Sequence, residues 1–231
     1  MRLRREKVAP IHPITTVAEY DGGTSAVISA TQLGTNYTST QAARVVAEWV
    51  EFFAAGPSAI TDLEFVTRTP KRLFASLAGQ TQLRCLAVKW GDYEDLAVLR
   101  GMTGLELLRL RGASSVRDVG PLSSLTCLTG LEIESLRHVR DLSPLGALVG
   151  LRQLELGGDW KSPRTAHVTS IAWMRSLTSL ENVLLHTLKV DDLDYGPLLD
   201  LPKLETVRVM QVRGMSPSVE ELQRRFPKSR W

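Results

Sequence analysis

DLSPLGALVGLRQLELGG, Asp141–Gly158, places leucines at 142, 145, 148, 151, 154 and 156. That spacing fits no long helix. Its last two leucines alternate with polar residues, as the inward side of a short strand does. Twenty-three residues earlier the chain reads DVGPLSSLTCLTGLEIES, Asp118–Ser135. Asp118/Asp141, Pro121/Pro144, Leu122/Leu145, Leu125/Leu148, Leu128/Leu151, Leu131/Leu154 and Glu132/Glu155 coincide in register. A further related stretch, DLAVLRGMTGLELLRLRG, begins at Asp95. Self-similarity at this period marks a repeat architecture, in which each unit is covered only by its neighbours.

The kernel of the unit is L-x-x-L-x-L. It occurs as Ile60-Leu63-Phe65, Leu83-Leu86-Val88, Leu105-Leu108-Leu110 and Leu128-Leu131-Ile133, then as Leu151-Leu154-Leu156, Leu180-Val183-Leu185 and Leu204-Val207-Val209. Successive kernels lie 23, 22, 23, 23, 29 and 24 residues apart. Asp at the head of each return segment (Asp95, Asp118, Asp141, Asp194, with Ser170 in its place once) can cap a short helical turn, and proline suits the first turn, where its missing N–H costs nothing.

L-x-x-L-x-L at 22–24 residues, preceded by D-x-x-P-L-x-x-L, resembles the leucine-rich repeats of bacterial internalins and of phosphatase-regulatory leucine-rich proteins. The likeness covers roughly residues 58–212. It implies an α/β solenoid: a curved parallel sheet on the concave face, with short helical or 3-10 segments on the convex face. In one respect the sequence departs from the family. Where an asparagine ladder is usual, three residues beyond the last strand leucine, stand Arg68, Gly91, Ala113, Leu136, Asp159, Leu188 and Val212. The backbone groups of those turns need other partners.

A bare terminal repeat exposes its core, so both ends need covers. At the N-terminal end SAVISATQL, Ser25–Leu33, alternates as a strand. STQAARVVAEWVEFFAAGP then sets Ala42, Val45, Val46, Trp49, Val50 and Phe53 at helical spacing, with Ser39 the expected cap and Gly56-Pro57 the stop. At the C-terminal end Val219, Leu222 and Phe226 predict a short helix. The expected organisation is a tail and strand–helix cap over 1–57, about seven repeats over 58–214 and a C-terminal cap over 215–231. Residues 1–16 either run along the cap or lack order.

The chain has 231 residues, and its formal charge is +3. MRLRREK, Met1–Lys7, carries +3, and Arg213–Trp231 another +3, leaving the interior at about −3. A nucleic-acid-binding body shows a basic face; here only the ends are basic, which disfavours that class. No apolar run reaches membrane-spanning length, and the charged start lacks the apolar core of a secretory signal. Two cysteines, Cys85 and Cys127, form no disulfide framework. A cytoplasmic, monomeric protein is expected, and 21 Arg against 7 Lys suggests a bacterial source.

Catalytic constellations are absent from the sequence. His12, His138, His167 and His186 have no metal-ligand spacing, and no nucleophile elbow, phosphate loop or C-x-x-C occurs. No enzyme activity, metal or cofactor is expected.

The period does fix which residues share the concave surface. One row is Glu64, Ala87, Arg109, Glu132, Glu155, Leu184 and Arg208; two residues on lie Val66, Lys89, Arg111, Glu134, Gly157, His186 and Met210. A basic and aromatic zone of Lys89, Trp90, Arg109 and Arg111 thus abuts an acidic zone of Glu132, Glu134 and Glu155, with Asp159 beside it. Arg109–Glu132 and Arg111–Glu134 are the expected cross-strand pairs. The long 29-residue spacing puts extra residues in Gly157–Ser170, and Trp160, Lys161, Arg164 and His167 are expected to project beside the acidic zone. Trp173 is expected to be largely buried.

These features favour a non-catalytic module that binds a protein partner through the concave face and the 157–170 loop, as adaptor, regulator or immunity protein. Its contact residues are Lys89, Trp90, Arg109, Arg111, Glu132, Glu134, Glu155, Asp159, Trp160 and His186. A second class is an activator that lends Arg109, Arg111 or His186 to another protein's site. A third is nucleic-acid binding through the basic termini.

Overall fold

The computed structural model describes residues 12–158 and 164–229. Asp159, Trp160 and Lys161 lie outside them, as do the basic residues 1–11 at the N-terminus. The strands are β1 (Ser25–Ile28), β2 (Asp62–Thr69), β3 (Cys85–Gly91), β4 (Leu107–Leu110), β5 (Gly130–Ile133), β6 (Gln153–Gly157), β7 (Ala166–Val168), β8 (Asn182–His186), β9 (Leu188–Val190) and β10 (Thr206–Val209). Eight of them form one parallel sheet in the order β1-β2-β3-β4-β5-β6-β8-β10. Its near-sequential order is what a coil of similar repeats produces: each turn lays one strand beside the last.

The register matches the repeat spacing. Leu63, Leu86, Leu108, Leu131, Leu154, Val183 and Val207 are successive partners, as are Phe65, Val88, Leu110, Ile133, Leu156, Leu185 and Val209. All of them are buried. On the opposite side the chain returns through 3-10 turns at Ala97–Leu99, Gly120–Ser124, Ser143–Ala147, Ala172–Ser176 and Gly196–Leu198, whose leucines, such as Leu122, Leu145 and Leu198, close the core. A fully buried leucine contributes roughly 1.5–3 kcal/mol, and no repeat could bury its own without the next.

Asp95, Asp118, Asp141 and Asp194 each accept a hydrogen bond from the backbone amide two residues on, at 2.7–2.8 Å, and Ser170 does so at 3.1 Å. In the prolyl turns the Asp stands one residue before the N-cap, so it binds the first helical amide rather than the second or third. The turns that lack asparagine are satisfied by neighbouring main chain: Ala113 N donates to Glu134 O, Leu136 N to Gly157 O and Gly158 N to His186 O. Ala113, Leu136 and Leu188 are buried, filling the space with apolar side chains.

Helix α1 (Ser39–Ala54) buries Val45, Val46, Trp49 and Phe53 against the first repeat. Its cap is Thr38, not Ser39: the Thr38 hydroxyl accepts from Gln41 N, and the Gln41 side chain returns the bond. A Thr-x-x-Gln capping box satisfies two donors where a lone serine would satisfy one. At the far end, buried Gln80 donates to Phe53 O and Gly56 O and accepts from Ser58 N, occupying carbonyls that the helix end leaves open. Ile14 bridges Ile28 outside β1 and so covers the sheet edge. At the C-terminal end α3 (Val219–Arg225) buries Val219 and Leu222, with Phe226 behind them.

The long fifth spacing supplies β7, which pairs with β9 of the following repeat in a second, two-stranded parallel sheet. His167, expected beside the acidic zone, lies on β7 instead, with Nδ1 2.9 Å from Asp191, which also takes Arg140. Trp173 is half-buried against the core, its indole N–H donating to Ser170 O. Helix α2 (Lys71–Ala75) completes the first return segment.

Candidate functional site

The first concave row is borne out by the strand pairing, and the second at one pair. Glu64, Ala87, Arg109, Glu132, Glu155, Leu184 and Arg208 are consecutive partners across the sheet, and Gly157 pairs with His186. A side chain in these rows points away from the core, because strand residues alternate between faces. The basic half surrounds a depression of about 230 Å³ lined by Glu64, Val66, Ala87, Val88, Lys89, Arg109 and Arg111.

Arg109 and Arg111 converge on one carboxylate. Arg111 Nε is 2.5 Å from Glu132 Oε1 and Nη2 is 3.4 Å from Oε2, while Arg109 Nε is 3.5 Å from Oε2. Arg111 was expected on Glu134. Its guanidinium instead reaches diagonally to the more deeply buried Glu132, and Glu134 acts on it through charge. The hydrogen bond to Glu132 raises the Arg111 pKa and outweighs its partial burial. Glu132 is only 2% exposed, so these are interior contacts and not the weak surface pairs the sequence suggested.

Trp90 does not line the depression. It sits at the exit of β3, 38% exposed, with the Arg68 guanidinium 5.8 Å from its ring centre. Gly112 is needed there: at φ +65 it lies in the left-handed region, and a methyl group on it would come within 2.7 Å of Trp90 Cβ. Arg68 in turn is bonded to Asp92.

The acidic half is more enclosed. Burial, reinforced by the negative charges of Glu132 and Glu134, pushes the Glu155 carboxyl up to about 7. Burial, with the positive charge of Arg208, pushes the His186 imidazole down to about 4. His186 Nε2 approaches Glu155 Oε1 at 3.6 Å; with the imidazole neutral this is no ion pair. The fold thus brings a donor atom of His186 within 4.8 Å of carboxylates 31 and 52 positions earlier. The row assignment already held this information, since it set Glu134, Gly157 and His186 side by side. Scanning for metal-ligand spacing along the chain could not find it.

A parallel sheet whose strands are the L-x-L segments of successive repeats, each followed by a capped return turn, decides the architecture. The chain is a leucine-rich repeat solenoid. Among solved structures this solenoid is similar to an internalin (inlF) from Listeria monocytogenes str. 4b F2365, with a TM-score of 0.54 and 18% identity over 80% of this chain and 47% of that one. It is also similar to the plant peptide hormone receptor RGFR1, solved in complex with RGF2, with a TM-score of 0.51 and 13% identity over 69% of this chain and 26% of that one. The solenoid therefore spans about half the length of the internalin and about a quarter of the receptor chain. No protein-family model and no curated protein matches its sequence. At such identities the likeness establishes the fold alone. Among the described residues no helix is long and apolar enough to cross a membrane.

Proposed function

We propose that the solenoid binds a protein partner on its concave sheet, with Lys89, Trp90 and the exposed part of Arg111 as basic and aromatic contacts and Glu134 as the acidic one. The observation that carries this reading is the basic depression of about 230 Å³ on the same open sheet as a row of carboxylates. A two-signed field orients a two-signed partner, and exposed Trp and Arg are common interface anchors. The receptor neighbour, solved with a peptide hormone, is a precedent for this use of the fold. Glu132, Glu155, Arg109 and His186 shape the field from below, because little of their surface reaches solvent. For the same reason neither His186 nor Arg109 is suited to entering another enzyme's site, and a catalytic-donor role has only Arg111 to draw on.

The test is capture of a partner from lysate of the source cells by wild type beside a Lys89→Glu/Trp90→Ala variant of unchanged melting temperature. Both side chains are exposed, so the substitutions leave the core alone. A protein held by wild type and lost by the variant supports the reading. Equal retention overturns it and moves the contact to the 157–170 loop or the caps.

A further inference from the structure

We propose that Glu134, Glu155 and His186 bind one divalent transition-metal ion of the zinc class in the acidic half of the concave sheet. Each residue comes from a different repeat, and one donor atom of each lies within 4.8 Å of the other two. A carboxylate pair with one imidazole is a nitrogen–oxygen donor set of the kind zinc accepts.

Two further observations point at a ligand. The first is Glu155 Oε2, which is buried and has no hydrogen-bond partner among the described residues, on a side chain only 7% exposed. A carboxylate oxygen removed from water without a partner is costly, and the neighbouring arginines are turned to Glu132. A cation between Glu134, Glu155 and His186 would supply what that oxygen lacks. The second is Gly157, the strand partner of His186. A methyl group there would lie 2.5 Å from His186 Nε2. The imidazole therefore lies across β6 in the space of the missing side chain, and only glycine lets it reach Glu155.

The distances leave a modest closure to make. Bonds of about 2.0–2.2 Å to a tetrahedral ion set donors roughly 3.2–3.6 Å apart. His186 and Glu155 are already at 3.6 Å, so the movement falls to half-buried Glu134, which exchanges its present partner for the ion. Three protein ligands leave a fourth position facing the groove. Arg208, exposed on β10, acts on His186 through its charge and opposes the ion, but from a solvated position.

The experiment is calorimetric titration of the untagged, chelator-stripped chain with ZnCl2, on wild type, His186→Gln, Gly157→Ala and the control His167→Gln. One zinc per chain, at least about tenfold weaker in His186→Gln and Gly157→Ala and unchanged in His167→Gln, supports the site, with a thermal midpoint that climbs with zinc concentration. Absence of saturable one-to-one binding, or wild-type affinity in His186→Gln, overturns it. The Co(II) spectrum of wild type guards against a variant that fails to fold. Ligand-field bands without thiolate charge transfer support the nitrogen–oxygen site, whereas thiolate bands would put the ion on Cys85 or Cys127 and overturn it. None of these readouts needs a partner, so this site and the partner-binding reading stand or fall separately.

Discussion

Glu132 and Arg111 are joined across β5 and β4 by a two-pronged contact, Nε to Oε1 at 2.5 Å and Nη2 to Oε2 at 3.4 Å, around a carboxylate that solvent barely reaches. Arg109, 11% exposed along its side chain, faces the same group. Removing Glu132 would leave positive charge in the sheet with its principal counter-charge gone. We expect Glu132→Ala to cost about 3–5 kcal/mol, read as a lower urea midpoint at unchanged slope. Arg84–Glu106 joins the neighbouring strands in the open, with side chains 64% and 45% exposed. Its Glu106→Ala counterpart should cost less than about 1 kcal/mol. Equal costs at the two sites would contradict the interior character of the Glu132 contact.

Leu154 sits inside the inward row, between Leu131 and Val183. Leu154→Asp puts a carboxylate between two buried apolar side chains of the neighbouring repeats. The expected outcome is a chain that does not fold, whereas Arg152→Asp, two residues away on an exposed edge, should fold. Circular dichroism and a melting curve decide. A cooperatively melting Leu154→Asp protein would mean the register is wrong.

The Glu155–His186 contact makes a signed pH prediction for metal-free protein. Glu155 rises from 4.5 to about 7 on folding, so its contribution to stability is present below about 4.5 and is lost as pH climbs through 7. His186 falls from 6.5 to about 4, so its contribution is present above about 6.5 and is lost as pH drops through 4. Between pH 4.5 and 6.5 the two slopes cancel. Relative to wild type, His186→Gln should lose stability with rising pH in that window, by about 1.4 kcal/mol per unit, and Glu155→Gln should gain it by a similar amount. Glu132, Glu134 and Arg111 face Glu155, and Arg208 faces His186; all four are retained in both variants. Urea midpoints at pH 5 and pH 6 in chelator measure the slopes. Parallel profiles in all three proteins would refute the opposed shifts.

The sequence by itself determined the solenoid, its inward rows and the composition of its concave face. The reason is periodicity. Strand residues alternate strictly, and repeats of nearly constant length stack without slipping, so a residue's place in L-x-x-L-x-L already names its neighbours on either side. The aspartates heading the returns were legible for the same cause: an Asx bond is made within three residues.

Tertiary structure decided what depends on reach and enclosure. Arg111 chose Glu132 over Glu134 because a long guanidinium can span a diagonal, and the buried carboxylate has more to gain from it. Thr38 displaced Ser39 as the helix cap because Gln41 stood three residues on to return the bond. His167 left the acidic zone because the added residues of the fifth spacing formed β7 and carried it to Asp191. His186 met Glu155 and Glu134 only once three repeats were stacked and Gly157 left room for its ring. Local pattern fixes a residue's row; burial and side-chain length, which belong to the assembled coil, fix its partner.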